Sequence, residues 1–222
     1  MSRQELTNVR LQYARWEDLP DGDQGVFTSM MGGDPQRGRE FYQLYFYWYN
    51  IAHEVGHVLR TMYGRWTGNN WEEENAVNQL AVAYWRAKGE TERLMTLETT
   101  LRRALSNLPD PVPPHEDRAT YLNQHLQEVS NNPAAYAHYQ FNMVLAALTH
   151  PLEFSTALRQ WISPDANDGT TIPLSPDYPL DEELPHRTVY DLRKTMTAYS
   201  LYLPDIQIAC LYSPALQFVI WV

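Results

Sequence analysis

The chain has 222 residues, 17 basic and 27 acidic, for a formal net charge of −10. That length fits one domain, or one domain with an appendage, able to bury a real core. A pI near 5.1 without any basic run argues against a main role in gripping nucleic-acid phosphates, and 44% hydrophobic with 20% charged residues excludes wholesale disorder.

Cys210 is the single cysteine, so no internal disulfide can form, which leans towards a reducing compartment. Arg3, Arg10 and Arg15 near the N-terminus are not followed by an uninterrupted apolar stretch, unlike a secretory signal. The apolar tail from Ile206 to Val222 is broken by Gln207, Ser213, Pro214 and Gln217 and falls short of the roughly 20 residues of a membrane span. It reads as a buried strand or a docking tail. A soluble, cytoplasmic protein with no membrane and no nucleic-acid partner is expected.

Along the chain, Val9, Leu11 and Tyr13 alternate as in a strand, while Leu6, Val9, Tyr13 and Trp16 also fit helical spacing. Asp21-Gly22-Asp23 and Gly32-Gly33-Asp34-Pro35 read as turns, with a short strand through Val26 and Phe27 between them. Gln36 to Tyr63 lacks proline and ends at Gly64, which predicts one long helix. Its aromatic middle, Phe41 to Tyr49, marks it as the buried central helix. With no basic residues interleaved, a core role explains that run better than a base-stacking platform.

Asn70 with Glu73 resembles a capping box for a helix from Trp71 to Lys88, closed by Gly89, and a further helix is expected over Thr91 to Leu108. Pro109, Pro111, Pro113 and Pro114 form the one obvious linker. Helices are expected at His115 to Val129, Ala134 to Leu148, Leu152 to Ile162 and Thr188 to Tyr202, with an irregular stretch from Ser163 to Pro185. The expected fold is mainly α, a helical domain with at most a small β-sheet near the N-terminus. Residues 1–108 would form the metal-site domain, and 115–222 a helical half packed on the same core.

The chemistry concentrates in His53-Glu54-Val55-Gly56-His57, an H-E-x-x-H motif inside the long helix. Four residues turn about 400° around a helix, which leaves the two imidazoles about 40° apart on one face and roughly 6 Å apart along the axis. One tetrahedral Zn²⁺ can take a nitrogen from each. Glu54 projects about 100° from His53, beside the metal, where it can accept a proton from a water activated there. Gly56 costs about 1 kcal/mol relative to alanine in a helix, so close packing or substrate access is its expected reason.

A third ligand is needed to leave one position open. Glu72, Glu73 and Glu74 open the next helix. Glu73 serves the capping box, whereas Glu74, Val77, Asn78, Ala81 and Trp85 share one face, so Glu74 is the chosen ligand. Solvated charge at a helix N-terminus explains at least one of the three glutamates.

His53-Glu54-x-x-His57 followed by Glu74-x-x-x-Asn78-x-Leu80-Ala81 resembles the gluzincin clan of zinc peptidases, and most closely the ImmA/IrrE-like metallopeptidases. The resemblance implies a zincin-like domain and zinc-dependent peptide-bond hydrolysis of a peptide or protein substrate. His53, His57 and Glu74 would be the ligands, Glu54 the general base, and Asn78 the group orienting a ligand histidine. The likeness spans Ile51 to Ala81 and departs from the family pattern at Ala76, Val77 and Leu80.

Two alternatives stand beside it. A zinc-binding but catalytically silent or regulated interaction protein would use the same ligands. Glu54-x-x-His57 is also half of a di-iron helix-bundle signature, whose only other match, Glu183-Leu184-Pro185-His186, contains a helix-breaking proline. Tyr136, His138, Tyr139 and His150 are candidates for an oxyanion-stabilising donor, but in a chain with 15 tyrosines structural roles explain them better, and the role is left unassigned. Cys210 is expected to be a small core residue.

Overall fold

The computed structural model describes residues 6, 9–174 and 178–210. Val9, Leu11 and Tyr13 turn their side chains inward and form strand β1 (Val9–Tyr13), so the alternating reading of this stretch is the correct one. The strand expected through Val26 and Phe27 does not form; those residues lie in helix α1 (Asp21–Met30). Asp21 and Asp23, which look like turn residues, occupy the first helical turn, where carboxylates suit the positive end of the helix dipole. Val26, Phe27 and Met30 then share one face, and the Phe27 ring packs edge-on against Trp16, Phe41, Tyr42 and Phe46. That burial overrides the poor propensity of Gly22 and Gly25.

The predicted long helix is a continuous rod of three parts. Helix α2 (Pro35–Tyr42) is capped by Asp34, which accepts from the backbone N–H groups of Gln36 and Arg37. A π-helical segment (Gln43–Tyr49) comes next, and helix α3 (Asn50–Met62) completes the rod. The wider π turn shifts the phase of the residues after it and lets every residue from Leu44 to Tyr49 be buried. Gly64, at φ 63°, ends the rod in the left-handed region that favours glycine.

Helix α4 (Asn70–Ala87) begins one residue before its predicted start, and its cap is Asn69, whose side chain accepts from Glu72 N. Glu73 is thereby released from a capping role. Helix α5 (Thr91–Ser106) precedes the proline-rich linker. Helix α6 (Arg118–Ser130) starts later than predicted because Asp117 caps it, while His115 takes a left-handed φ of 77°. Helices α7 (Pro133–Thr149) and α8 (Phe154–Trp161) lie close to their expected bounds. Helix α9 (Leu184–Ala198) starts earlier than expected, since Pro185 sits in its first turn, where a missing N–H costs nothing. Strand β2 (Ile206–Cys210) pairs in parallel with β1, from Val9 opposite Ile206 to Tyr13 opposite Cys210. Cys210 is exposed at its end rather than in the core. The remainder of the apolar tail lies outside the described residues.

The fold is mainly helical with this small two-stranded sheet. Helix α4 packs against α3, α5, α6, α7 and α8, and α3 also against α9. A Cβ on Gly56 would meet the Val77 Cβ at 3.1 Å, so the glycine permits the close approach of α3 to α4. One hydrophobic cluster runs from Val9 to Leu203 and draws on both sides of the proline linker. A smaller one, around Leu122, Tyr139 and Met143, lies between α6 and α7. Lys88, 1% exposed, ion-pairs with Asp191 and so ties α4 to α9. Among the described residues no helix is long and apolar enough to cross a membrane.

Candidate metal centre

Helices α3 and α4 bring His53, His57 and Glu74 together. One ligand atom from each lies within 4.8 Å of the other two. His53 Nε2 is 3.3 Å, and His57 Nε2 3.7 Å, from the same oxygen, Glu74 Oε2. Donors bound tetrahedrally to zinc at about 2.0–2.1 Å stand roughly 3.3 Å from each other, so this spacing needs little adjustment to take an ion. The two imidazole rings stand 4.9 Å apart, nearly perpendicular.

The other ring nitrogens fix which tautomer each histidine adopts. His53 Nδ1 is 3.0 Å from Asn78 Oδ1. The Asn78 amide is oriented by its own bonds: its Nδ2 donates to Glu74 O and Gln140 Oε1, and its Oδ1 also accepts from Tyr49 OH. Facing an acceptor, His53 Nδ1 carries the proton, leaving the Nε2 lone pair towards Glu74. His57 Nδ1 lies 3.0 Å from Glu73 Oε1, and Arg60 Nε donates to Glu73 Oε2 at 2.7 Å. Arg60 also donates to the carbonyls of Trp161 and Arg65. Such outer hydrogen bonds hold ligand histidines in place and raise their basicity.

Three lone pairs thus converge on one point, which requires a positive charge there. In the metal-free chain a proton supplies it. Burial would lower the His57 pKa, but the carboxylates of Glu74 and Glu73 outweigh it and push the imidazole up to about 10. Burial likewise opposes ionisation of Glu74, yet His57 and His53 hold its carboxyl well below the usual range.

No protein-family model, curated protein or solved structure matches the chain. The donor set itself carries the assignment: His53, His57 and Glu74 form a group that could hold a metal ion.

Glu54 is near enough to all three for their charges to act on its carboxyl. Burial raises its pKa, which the histidines and a hydrogen bond from Asn50 partly offset. Asn50 Nδ2 donates to Oε1 at 2.9 Å, four residues back on the same helix. From α7, Gln140 Nε2 donates to Glu74 Oε2 at 2.7 Å, and Tyr136 OH to Glu74 Oε1 at 3.4 Å. Burial raises the Tyr136 pKa well above 10.0, so it stays a neutral donor.

Of the four oxyanion candidates the structure therefore brings Tyr136 alone to this network. Tyr139 donates to Arg118 O, His138 lies beside Asn142, and His150 is exposed beyond the end of α7. Glu183, just before α9, and His186, on it, are exposed and take no part in the metal-ligand group, although Pro185 does not prevent the helix. Sequence reasoning misses Asn50, Glu73, Arg60 and Gln140 as members of the site. Glu73 carries a signal, since it neighbours Glu74 and Arg60 lies about one helical turn beyond His57. Gln140 carries none.

Beside His53 and Glu54 lies a cavity of about 60 Å³. Its described lining comes from α1, the π segment, α3 and α7, all helical.

Proposed function

We propose that the protein is a zinc-dependent hydrolase of peptide bonds, a reading its motif shares with gluzincin metallopeptidases. The observation that carries it is the convergence of the His53, His57 and Glu74 lone pairs beside a buried carboxylate that ligates nothing. Histidine and carboxylate donors suit zinc, though availability selects among divalent metals. His53 Nε2, His57 Nε2 and a Glu74 oxygen would hold the ion. When bound, zinc supplies a Lewis acid that polarises a carbonyl and acidifies a water.

Glu54 supplies the base. Its Oε1 is held by Asn50, leaving Oε2 to take the proton of the attacking water and deliver it to the leaving nitrogen. A raised pKa makes this carboxylate a stronger base than a solvated one. The neutral Tyr136 phenol, which borders the cavity, is the donor best placed to turn towards the oxyanion.

The test is Glu54→Gln in the zinc-loaded chain. Zinc content stays at the wild-type level, and peptide hydrolysis falls by about 100-fold or more. Wild-type hydrolysis by that variant refutes the mechanism. A second reading, a metal centre without catalysis, draws on the hydrogen bonds that engage both Glu74 oxygens, Oε2 with Gln140 and Oε1 with Tyr136. It predicts zinc binding with no hydrolysis by wild type.

A further inference from the structure

No strand lines the cavity among the described residues, so a substrate cannot be held there by adding to a sheet edge. Side-chain burial has to do that work. Val26, Phe27 and Met30 of α1 form one wall, Phe46 another, and Ala137 and Phe141 of α7 a third. Two of the polar side chains on the lining are engaged in the metal-site network, Asn50 with Glu54 and Gln140 with Glu74 and Asn78, and the aromatic ring of Tyr45 completes the lining. No lysine or arginine is among the lining residues. An acidic side chain entering the cavity would therefore lose its hydration and meet the Glu54 carboxylate, with no lysine or arginine on the lining to pair with it. At about 60 Å³ the space suits roughly four to six non-hydrogen atoms. That is the size of a branched aliphatic side chain. His53 and Glu54 border the same cavity, so a group seated in it has its amide beside the base.

We propose that this cavity receives an uncharged, branched aliphatic side chain adjacent to the amide that is cleaved, so that the substrate class is peptides carrying a leucine-sized apolar residue at that position. This rests on the hydrolase reading. Ala137 of α7 and Val26 of α1, both on the lining, set the size that fits.

The experiment uses the full chain loaded with zinc, its metal content checked first. Three hydroxamates that differ only in their tails are titrated by calorimetry: acetohydroxamate, isocaproylhydroxamate and succinic monohydroxamate. The isocaproyl compound should bind at least about tenfold more tightly than acetohydroxamate, from the extra carbons removed from water. The acidic compound should bind less tightly than the isocaproyl one. Ala137→Phe and, separately, Val26→Phe should fill the cavity and shrink the isocaproyl preference below about threefold, with zinc content unchanged. An isocaproyl preference below threefold in zinc-loaded wild type overturns the proposal, as does tightest binding of the acidic compound. Zinc uptake with the expected preference but no peptide hydrolysis upholds the pocket and refutes the hydrolase. Failure of wild type to take up zinc refutes the metal centre, and this inference with it.

Discussion

Replacing Glu73 by Gln separates the metal-site network from the simpler idea of a solvated helix N-terminus. In the structure one Glu73 oxygen accepts from His57 Nδ1 and the other from Arg60 Nε, and both Glu73 and Arg60 are 3% exposed. Glutamine offers one acceptor for these two donors. If its oxygen serves His57, its amide N–H faces the Arg60 N–H; if reversed, His57 loses its acceptor. Breaking a buried ion pair by removing one partner costs about 3–5 kcal/mol. Arg60 keeps the carbonyls of Trp161 and Arg65, so the lower end of that range, about 3 kcal/mol, is expected. Urea unfolding of the chelator-stripped protein measures this loss. Zinc affinity, measured by chelator competition, should fall about 10- to 100-fold because His57 is less firmly oriented. A stability change below about 0.5 kcal/mol, within the range of ordinary surface substitutions, with unchanged zinc affinity would refute the reasoning.

Other contacts lead to further expected outcomes. In metal-free protein the His57 pKa is raised from 6.5 to about 10, so its ion pairs stabilise fully below pH 6.5 and are lost as pH rises through 10. Thermal unfolding of stripped protein should therefore show declining stability from about pH 7 to about 10, a decline that zinc removes; a flat profile without metal contradicts this. Gly56→Leu should destabilise by more than about 1–3 kcal/mol, since even a Cβ there stands 3.1 Å from Val77 Cβ. Chemical denaturation showing no loss would mean that α3 and α4 are not so closely packed. Lys88→Met should cost about 3 kcal/mol by leaving Asp191 without its buried cation, while zinc content stays at wild type. A neutral effect in urea unfolding would show that this pair does not tie α9 to the core.

Much of the site is legible in the chain because it depends on spacing along single helices. His53 and His57 share a face by the geometry of one helical turn, and the stripe below Glu74 marks that residue as facing them, although Glu73 turns inward as well. Asn78, one turn further, has its Oδ1 3.0 Å from His53 Nδ1. The rest depends on meetings between distant segments. Gln140 and Tyr136 reach Glu74 only because α7 packs on α4, and no periodicity encodes that pairing. Asn70 and Asn69 are equally good caps by residue type, and the choice between them decides where Glu73 points; with Asn69 in that place, the carboxylate turns inward. Val26 and Phe27 sit between turn-forming residues that favour a short strand, yet aromatic packing makes the segment a helix and a wall of the cavity.

The most direct test of the central claim is elemental mass spectrometry on wild type and Glu74→Gln, both purified without added metal or chelator. The account predicts one zinc per chain in wild type and much less in the variant. Two irons per chain would point instead to a helix-bundle di-iron site. No metal in wild type, even after zinc is offered back, would contradict the metal centre outright.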